Sequence, residues 1–225
     1  MIINEIFHSL QGEGQLAGTP SVFIRLAGCP LRCKWCDTKY ARDYNAGSDL
    51  TIPRIVKEVQ KHPCDFAVIT GGEPMVTADL KRREDLNELV KSLKALNKHI
   101  TIETAGLWYE PGLTCDLMSI SPKLSNSADG EAVHHFNAAV IRELIDNYDY
   151  QLKFVVDVKK DITEILQAIK IIGNVDKRKV FLMPQAQTTD ELLAKSPMVA
   201  DLCKQTGFIF CNRLQILLWD NQKGK

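Results

Sequence analysis

The chain of 225 residues predicts an α/β fold, a partial (open) TIM-like barrel of parallel strands with covering helices, on three observations. Short runs rich in Val, Ile and Phe alternate with stretches of helical period, the pattern of a parallel sheet covered by helices. Only six or seven core strands can be counted, fewer than the eight that close a TIM barrel. No linker rich in Pro, Gly or Ser and no internal repeat interrupts the alternation, so residues 1–225 read as one domain.

In chain order, SVFIRLAG (21–28) is apolar and β-branched and reads as the first strand. Ile52, Ile55, Val56 and Val59 fall at i, i+3, i+4 and i+7, one face of a helix. DFAVIT (65–70) is a strand that runs directly into GGEP; Leu86, Leu89, Val90, Leu93 and Leu96 mark the next helix, and HITIE (99–103) the next strand. DLMSIS (116–121), a helix near 136–146, LKFVVD (152–157), a helix near 161–172, KVFLMP (179–184) and a helix near 189–204 continue the series. GFIFCNRLQILLW (207–219) reads as a final β-rich stretch.

Polar residues gather where strands end. Thr70 to Pro74, Glu103 and Thr104, Ser121 to Lys123, Asp157 and Gln185 each close a strand, and the carboxyl ends of parallel strands carry the site in such folds. Five segments are therefore expected on one rim, joined there by the loop after strand 21–28.

Twenty-eight basic and 28 acidic residues cancel, which excludes the charge footprint of a nucleic-acid or anionic-membrane binder. Seven cysteines, three of them bunched, suit a reducing cytoplasm rather than a disulfide framework. MIINEIFHSLQGEGQL lacks the basic and apolar regions of a signal peptide, and no run approaches 18 apolar residues, so a cytoplasmic protein with no membrane partner is expected.

Cys29, Cys33 and Cys36, in CPLRCKWCDTKY, form a Cys-x3-Cys-x2-Cys triplet. Iron-sulfur clusters are usually held by four thiolates, so three would leave one iron of a 4Fe-4S cluster open to another ligand. Spacing alone leaves alternatives. A zinc site would need a fourth donor from Cys64, Cys115, His8 or His62, none at a common zinc spacing, and a redox pair of Cys33 and Cys36 leaves Cys29 unexplained. The second motif, TGGEP (70–74), puts two glycines and the Glu73 carboxylate directly after a strand, where a backbone can approach a ligand closely and the carboxylate can receive an ammonium group.

Together, the triplet and this turn resemble the radical S-adenosylmethionine superfamily. SLQGEG (9–14), FIRLAGCP (23–30), the CDT after the last cluster cysteine and ISPK (120–123) narrow the resemblance to the 7-carboxy-7-deazaguanine synthases. The resemblance implies a radical SAM core that uses a 4Fe-4S cluster, S-adenosylmethionine and magnesium. It implies conversion of 6-carboxy-5,6,7,8-tetrahydropterin to 7-carboxy-7-deazaguanine with loss of ammonia, on the route to queuosine and related 7-deazapurines.

Carried onto this sequence, the resemblance assigns Cys29, Cys33 and Cys36 to the cluster, Thr38 to magnesium, and Leu10, Gln11, Gly12, Arg25 and Thr70 to the pterin. Trp35, Cys36, Asp37, Gly72, Ser121, Pro122, Lys123 and Gln185 are assigned to S-adenosylmethionine. These residue types suit the tasks: a guanidinium forks onto a carboxylate, amide and backbone groups pair with a heterocycle edge, and a hydroxyl oxygen suits hard Mg2+. A flavodoxin-like or ferredoxin-like reductant and a homodimer are further implications.

Plainer readings stand beside these. Arg25 in water at a sheet edge, Thr38 as a helix N-cap, Gln11–Gly12 as an ordinary turn and Glu13 as a solvated turn carboxylate need no ligand. Cys64, Cys115, Cys203 and Cys211 read as buried small hydrophobes, and His134 and His135 as surface residues. The tail RLQILLWDNQKGK has no histidine, where some members of the resembled family offer one to the substrate; Gln215 or Trp219 is expected on that wall instead. Two rival functions remain at this level: an activase that makes a glycyl radical in another protein, and a non-enzymatic zinc module.

Overall fold

The computed structural model describes residues 1–75, 80–128, 136–220, 222 and 224. Nine strands among the described residues form a single sheet. β1 (Ile2–Leu10) and β2 (Pro20–Leu26) pair antiparallel, and β3 (Ser48–Asp49) adds to the outer side of β1. β4 (Phe66–Gly71), β5 (His99–Thr104), β6 (Leu117–Ile120), β7 (Tyr150–Val156), β8 (Val180–Pro184) and β9 (Ile209–Phe210) follow β2, all parallel, in the order β3-β1-β2-β4-β5-β6-β7-β8-β9. The sheet does not close, since β3 and β9 stand at its two edges; it is the open, mixed α/β sheet the sequence predicts.

Helices α1 (Ile52–Val59), α2 (Leu80–Ala95), α3 (Ala138–Asn147), α4 (Asp161–Ile172) and α5 (Thr189–Thr206) connect the parallel strands. Each lays an apolar stripe on the sheet: Leu86, Leu89, Val90 and Leu93 of α2 join Ile100 and Ile102 of β5 in one buried core. Local chemistry sets the ends. Asn137 caps α3 by accepting from Val140 N–H, Thr188 caps α5 by accepting from Glu191 N–H, and Gly207, left-handed at φ 77°, stops α5 before β9.

Two segments depart from expectation. IINEIFHSL forms β1, which periodicity did not reveal: its only fully buried residue is Ile3, because both flanking pairings are antiparallel and lie toward the sheet edge, away from most of the helical cover. The stretch 207–219 is a strand for two residues only. Leu214–Trp219 is instead a helix, α6. Leu and Gln favour helix over strand, and a short apolar run such as LQILLW does not distinguish the two by period.

Alternation along the parallel strands builds the site. Val22, Ile24 and Leu26, Ala67 and Ile69, Ile100 and Ile102, and Leu152, Phe154 and Val156 face the helices. The intervening side chains face inward, and many are polar: Arg25, Thr70, Glu103, Ser119 and Lys153 all line one cavity.

Candidate active site

Register places the inward polar residues side by side across the barrel. Arg25 pairs with Thr70, Glu103 with Ser119, and Ser119 with Gln151 on successive strands. Thr70 Oγ1 donates to Glu103 Oε2 at 2.9 Å and Gln151 Nε2 to Ser119 Oγ at 2.9 Å, so the layer is cross-linked. Arg25 is not an edge residue in water. β2 lies between β1 and β4, the side chain is 13% exposed, its Nε donates to Glu5 Oε1 at 2.7 Å, and the guanidinium lies 5.7 Å from the centre of the Phe7 ring. One edge of the fork is thus anchored on Glu5.

The loop after β1 closes one wall. Gln11, buried, accepts from Glu13 N–H through Oε1 and donates to Glu103 through Nε2 at 3.3 Å. Glu13 is no solvated turn residue. Lys153 Nζ donates to its Oε2 at 2.8 Å, while Arg213 Nε at 3.1 Å and Gln215 Nε2 at 2.9 Å donate to its Oε1. Burial alone would raise the Glu13 carboxyl, but the Lys153 and Arg213 charges outweigh it and hold the group well below the usual carboxylate range. Lys153 shows the reverse: burial works against its charge, yet Glu13 and Glu103, whose Oε1 lies 3.5 Å away, keep it firmly protonated.

The tail enters here through Arg213, the residue before α6. Its Nη2 donates to Asp37 Oδ2 at 2.8 Å, its Nη1 to Ala186 O, and Leu214 N–H donates to Gly12 O at 2.9 Å. Gln215 lies over Gly12 so closely that a Cβ there would stand 1.8 Å from Gln215 Oε1. Gln215, not Trp219, lines the cavity.

Cys29, Cys33 and Cys36 face the same cavity from the loop after β2. Backbone bonds hold that loop: Cys29 N–H donates to Arg42 O, Lys34 N–H to Ser127 O and Cys36 N–H to Cys33 O. Burial pushes the Cys29 thiol up to about 11 and raises Cys33 as well, so binding any metal there must release protons. Among the described residues no three Cys, His, Asp or Glu groups converge as ligands of a single ion would. Cys64, Cys115, His8 and His62, the conceivable fourth zinc ligands, do not line the cavity. Three thiols facing one cavity fit a cluster, in which each thiolate takes its own iron.

Thr38 begins a short 3-10 turn but makes no side-chain cap; its hydroxyl lies 3.6 Å from Cys36 Sγ and borders the cavity. Thr38 thus holds the N-cap position without capping the turn through its side chain.

The TGGEP turn lines the cavity and also has a structural task. A Cβ on Gly71 would stand 2.4 Å from Leu26 N and O, and one on Gly72 2.0 Å from Gly28 O, so the glycines let the exit of β4 lie against the exit of β2. Glu73, 2% exposed, accepts from Thr104 Oγ1 at 2.6 Å, Met75 N–H at 3.0 Å and Ala105 N–H at 2.7 Å. Both its oxygens are engaged by the protein, tying β4 to β5 at the cavity's edge.

Gly72, Ser121, Lys123 and Gln185 complete the rim beside Trp35, Cys36 and Asp37. Lys123 Nζ donates to Ser121 Oγ at 2.8 Å, and Lys195 reaches both Gln185 Oε1 and Asp157 Oδ1. Of the residues assigned from the sequence, Leu10, Gln11, Gly12, Arg25, Thr38 and Thr70 also line the cavity. Pro122 does not: it is buried in the chain between Ser121 and Lys123, where its fixed φ shapes the turn. Asp157 also misses the cavity, engaged by Lys195. Cys64, Cys203 and Cys211 are buried as expected and Cys115 is half-buried, while His134 and His135 lie outside the described residues.

Sequence reasoning missed Lys153, Ser119 and Arg213. The first two carry a readable signal, a polar residue in the inward phase of an otherwise apolar strand; Arg213 carries none, because its segment read as a strand.

A polar pocket with three thiols on one wall, a fixed guanidinium and a buried row of alternating charges can hold a cluster and a flat, polar, anionic molecule together. The family model of the radical SAM superfamily matches residues 23–120. The chain is similar to the 7-carboxy-7-deazaguanine synthase of Rhodopirellula baltica, at 36% identity over 100% of this chain and 88% of that one. It is similar to those of Halobacterium salinarum, at 38% over 97% and 90%, and Pyrobaculum aerophilum, at 37% over 98% and 96%. The crystal structure of QueE from Escherichia coli shares the fold with a TM-score of 0.70, covering 93% of this chain and 92% of that one at 24% identity.

Proposed function

This chain belongs to the 7-carboxy-7-deazaguanine synthase family of radical SAM enzymes, and we propose that its cavity converts 6-carboxy-5,6,7,8-tetrahydropterin to 7-carboxy-7-deazaguanine with loss of ammonia. The family acts in 7-deazapurine and queuosine biosynthesis and implies a 4Fe-4S cluster with S-adenosylmethionine. The observation that carries the reading is the convergence of Cys29, Cys33 and Cys36 with Gln11, Arg25 and Thr70 on one cavity.

When bound, the cluster and S-adenosylmethionine supply a one-electron cleavage that yields a hydrogen-atom abstractor. The chain's own residues do the rest. Cys29, Cys33 and Cys36 hold the cluster; Trp35, Asp37, Gly72, Ser121, Lys123 and Gln185 form the cofactor's wall. Arg25, anchored through Nε on Glu5, presents its remaining donors to the substrate carboxylate. Leu10, Gln11, Gly12 and Thr70 border the ring system, with Glu103 between them and Lys153.

Thr38, whose hydroxyl borders the cavity, would offer a bound magnesium one hard oxygen. The protein is read as one domain, cytoplasmic and homodimeric, after the habit of its family. No helix among the described residues is long and apolar enough to cross a membrane. The relatives do not favour the activase or the zinc module.

The test is anaerobic reconstitution with iron and sulfide, then S-adenosylmethionine, dithionite, magnesium and the carboxytetrahydropterin, with mass detection of the deazaguanine acid. Cleavage of S-adenosylmethionine without that product, the cluster intact, overturns the substrate assignment. Colourless protein that takes up zinc alone overturns the class.

A further inference from the structure

Among the described residues five cations line the cavity: Arg25, Arg42, Lys123, Lys153 and Arg213. Three of them are paired with carboxylates, Arg25 with Glu5, Lys153 with Glu13 and Glu103, and Arg213 with Glu13 and Asp37. Lys123 donates to the neutral Ser121 Oγ; burial raises the Glu73 carboxyl, and Lys123 is among the groups that pull it back. Arg42 differs from all four. Among the described residues no carboxylate lies within ion-pair distance of it, and its Nη2 donates to a neutral backbone oxygen, Cys33 O.

A short return of the chain brings Arg42 there. After Cys36 the 3-10 turn Lys39–Ala41 folds back, so that Gly28 N–H donates to Ala41 O at 2.8 Å and Cys29 N–H to Arg42 O at 3.0 Å. One residue thus holds two of the three cysteines, Cys29 through its N–H and Cys33 through its carbonyl, while its side chain faces the same cavity as all three thiols. Burial raises the Cys33 thiol, and the Lys123 and Arg42 charges work against burial, favouring the thiolate. Arg32 and Lys34 flank the same cysteines, but they are exposed and do not line the cavity, so water screens them. Arg42 is half-buried, and a cation in that position without a counter-ion is stabilised by any anion bound beside it.

We propose that Arg42 sets the reduction potential of the cluster, as a cavity-facing positive charge beside the cysteines that no carboxylate among the described residues offsets. The proposal rests on the cluster assignment made above. Three thiolates make the bound cluster anionic, and reduction adds one further negative charge without making or breaking a bond or moving a proton. An adjacent cation therefore favours the reduced form. A guanidinium suits the task because it keeps its charge at any working pH. The paired cations contribute less, since the carboxylate beside each one cancels most of its field at a distance. Arg42 lies outside the cysteine triplet and outside every substrate and cofactor position assigned above, so its effect can be read on the cluster alone.

The experiment is an anaerobic redox titration of the reconstituted protein with dithionite as the electron source and neither S-adenosylmethionine nor pterin present. The paramagnetic resonance signal of the reduced cluster is followed in the unsubstituted protein, in Arg42→Gln and in Arg42→Lys. Glutamine keeps an amide donor for Cys33 O and loses the charge; lysine keeps the charge and loses the fork. At a fixed potential the ratio of reduced to oxidised cluster is expected to fall about tenfold in Arg42→Gln, a midpoint about 59 mV more negative for a one-electron couple. In Arg42→Lys the ratio is expected to stay within about twofold of the unsubstituted protein. An unchanged or more positive midpoint in Arg42→Gln overturns the proposal. So does a shift in Arg42→Lys as large as that in Arg42→Gln, which traces the effect to the shape of the guanidinium instead of its charge. The midpoint is read from loaded cluster only, so partial iron uptake does not mask it. Complete loss of the cluster from either variant makes Arg42 a clamp of the loop and overturns the proposal as well. Unsubstituted protein that takes up no iron overturns the cluster reading and the proposal with it, a result distinct from a native cluster whose potential ignores residue 42.

Discussion

Lys153 and Glu13 stand 140 residues apart in sequence, yet Lys153 Nζ lies 2.8 Å from Glu13 Oε2, with the two side chains only 4% and 14% exposed. The contact joins an inward position of β7 to the loop after β1, across the mouth of the barrel. Glu103 Oε1 lies 3.5 Å from the same ammonium, so one buried cation organises two carboxylates that border the cavity. The sheet does not close between β3 and β9, and the ion pair ties β7 back to the loop after β1.

Removing one member of a buried pair costs about 3–5 kcal/mol when the charge left behind has no other partner. Arg213 and Gln215 stay on Glu13, so Lys153→Met is expected to lose less than that in urea unfolding. Glu13→Gln adds a pH signature. Because the native carboxyl is held below its ordinary value near 4.5, its stabilising contribution is complete above that pH and is lost as pH falls through the depressed native value. The stability gap between the native protein and Glu13→Gln should therefore be full at neutral pH and shrink on acidification below about 4.5. A gap that does not change with pH would show that the Glu13 charge is not what stabilises the loop.

Arg213 ties the tail to the substrate loop through Glu13 and to the cofactor wall through Asp37. Arg213→Lys keeps the charge but cannot span three partners with one ammonium. It should raise the KM for the pterin more than it lowers kcat, and it should increase S-adenosylmethionine cleavage that is not coupled to product. Unchanged coupling would reduce Arg213 to a packing residue.

The parts of this site that were legible in the sequence are those that local chemistry dictates. A cysteine triplet, a Gly-Gly turn after an apolar strand and polar residues at strand ends keep their meaning whatever surrounds them. Glu13 illustrates the opposite case: in sequence it is a carboxylate in a turn, and only the fold brings Lys153, Arg213 and Gln215 to it. Arg213 was hidden further, since LQILLW shows no period that separates helix from strand, and a strand there would have directed the side chain elsewhere. Gly72 was found for an incomplete reason. The sequence suggested close approach to a ligand, whereas the demand for a bare Cα comes from the backbone of Gly28.

Gly72→Ala would bring a Cβ to 2.0 Å from Gly28 O, a contact with backbone that no rotamer relieves. The exit of β4 must move away from β2, at a cost of about 1–3 kcal/mol by the measure of overpacked sites. The shift falls between two walls of the cavity, so the variant should incorporate less iron per chain and melt at a lower temperature even without the cluster. Normal melting with reduced iron content would place the effect on the loop alone.

Arg25→Lys separates substrate recognition from cofactor chemistry. The guanidinium is braced by Glu5 through Nε and lies near the face of Phe7, so its position does not depend on the ligand. A lysine can keep the ion pair with Glu5 or approach the substrate carboxylate, but it has no second edge with which to do both. Loss of a charged hydrogen bond is worth about 1.5–3 kcal/mol, so the KM for the carboxytetrahydropterin should rise about 10- to 100-fold. Iron content and dithionite-driven S-adenosylmethionine cleavage in the absence of substrate should stay at the native level, because Arg25 touches neither the cysteines nor the Ser121–Lys123 rim in any hydrogen bond or ion pair described for it. A fall in iron content would instead make Arg25 a strut of the barrel, and its pairing with Thr70 across β2 and β4 a matter of folding before it is one of binding.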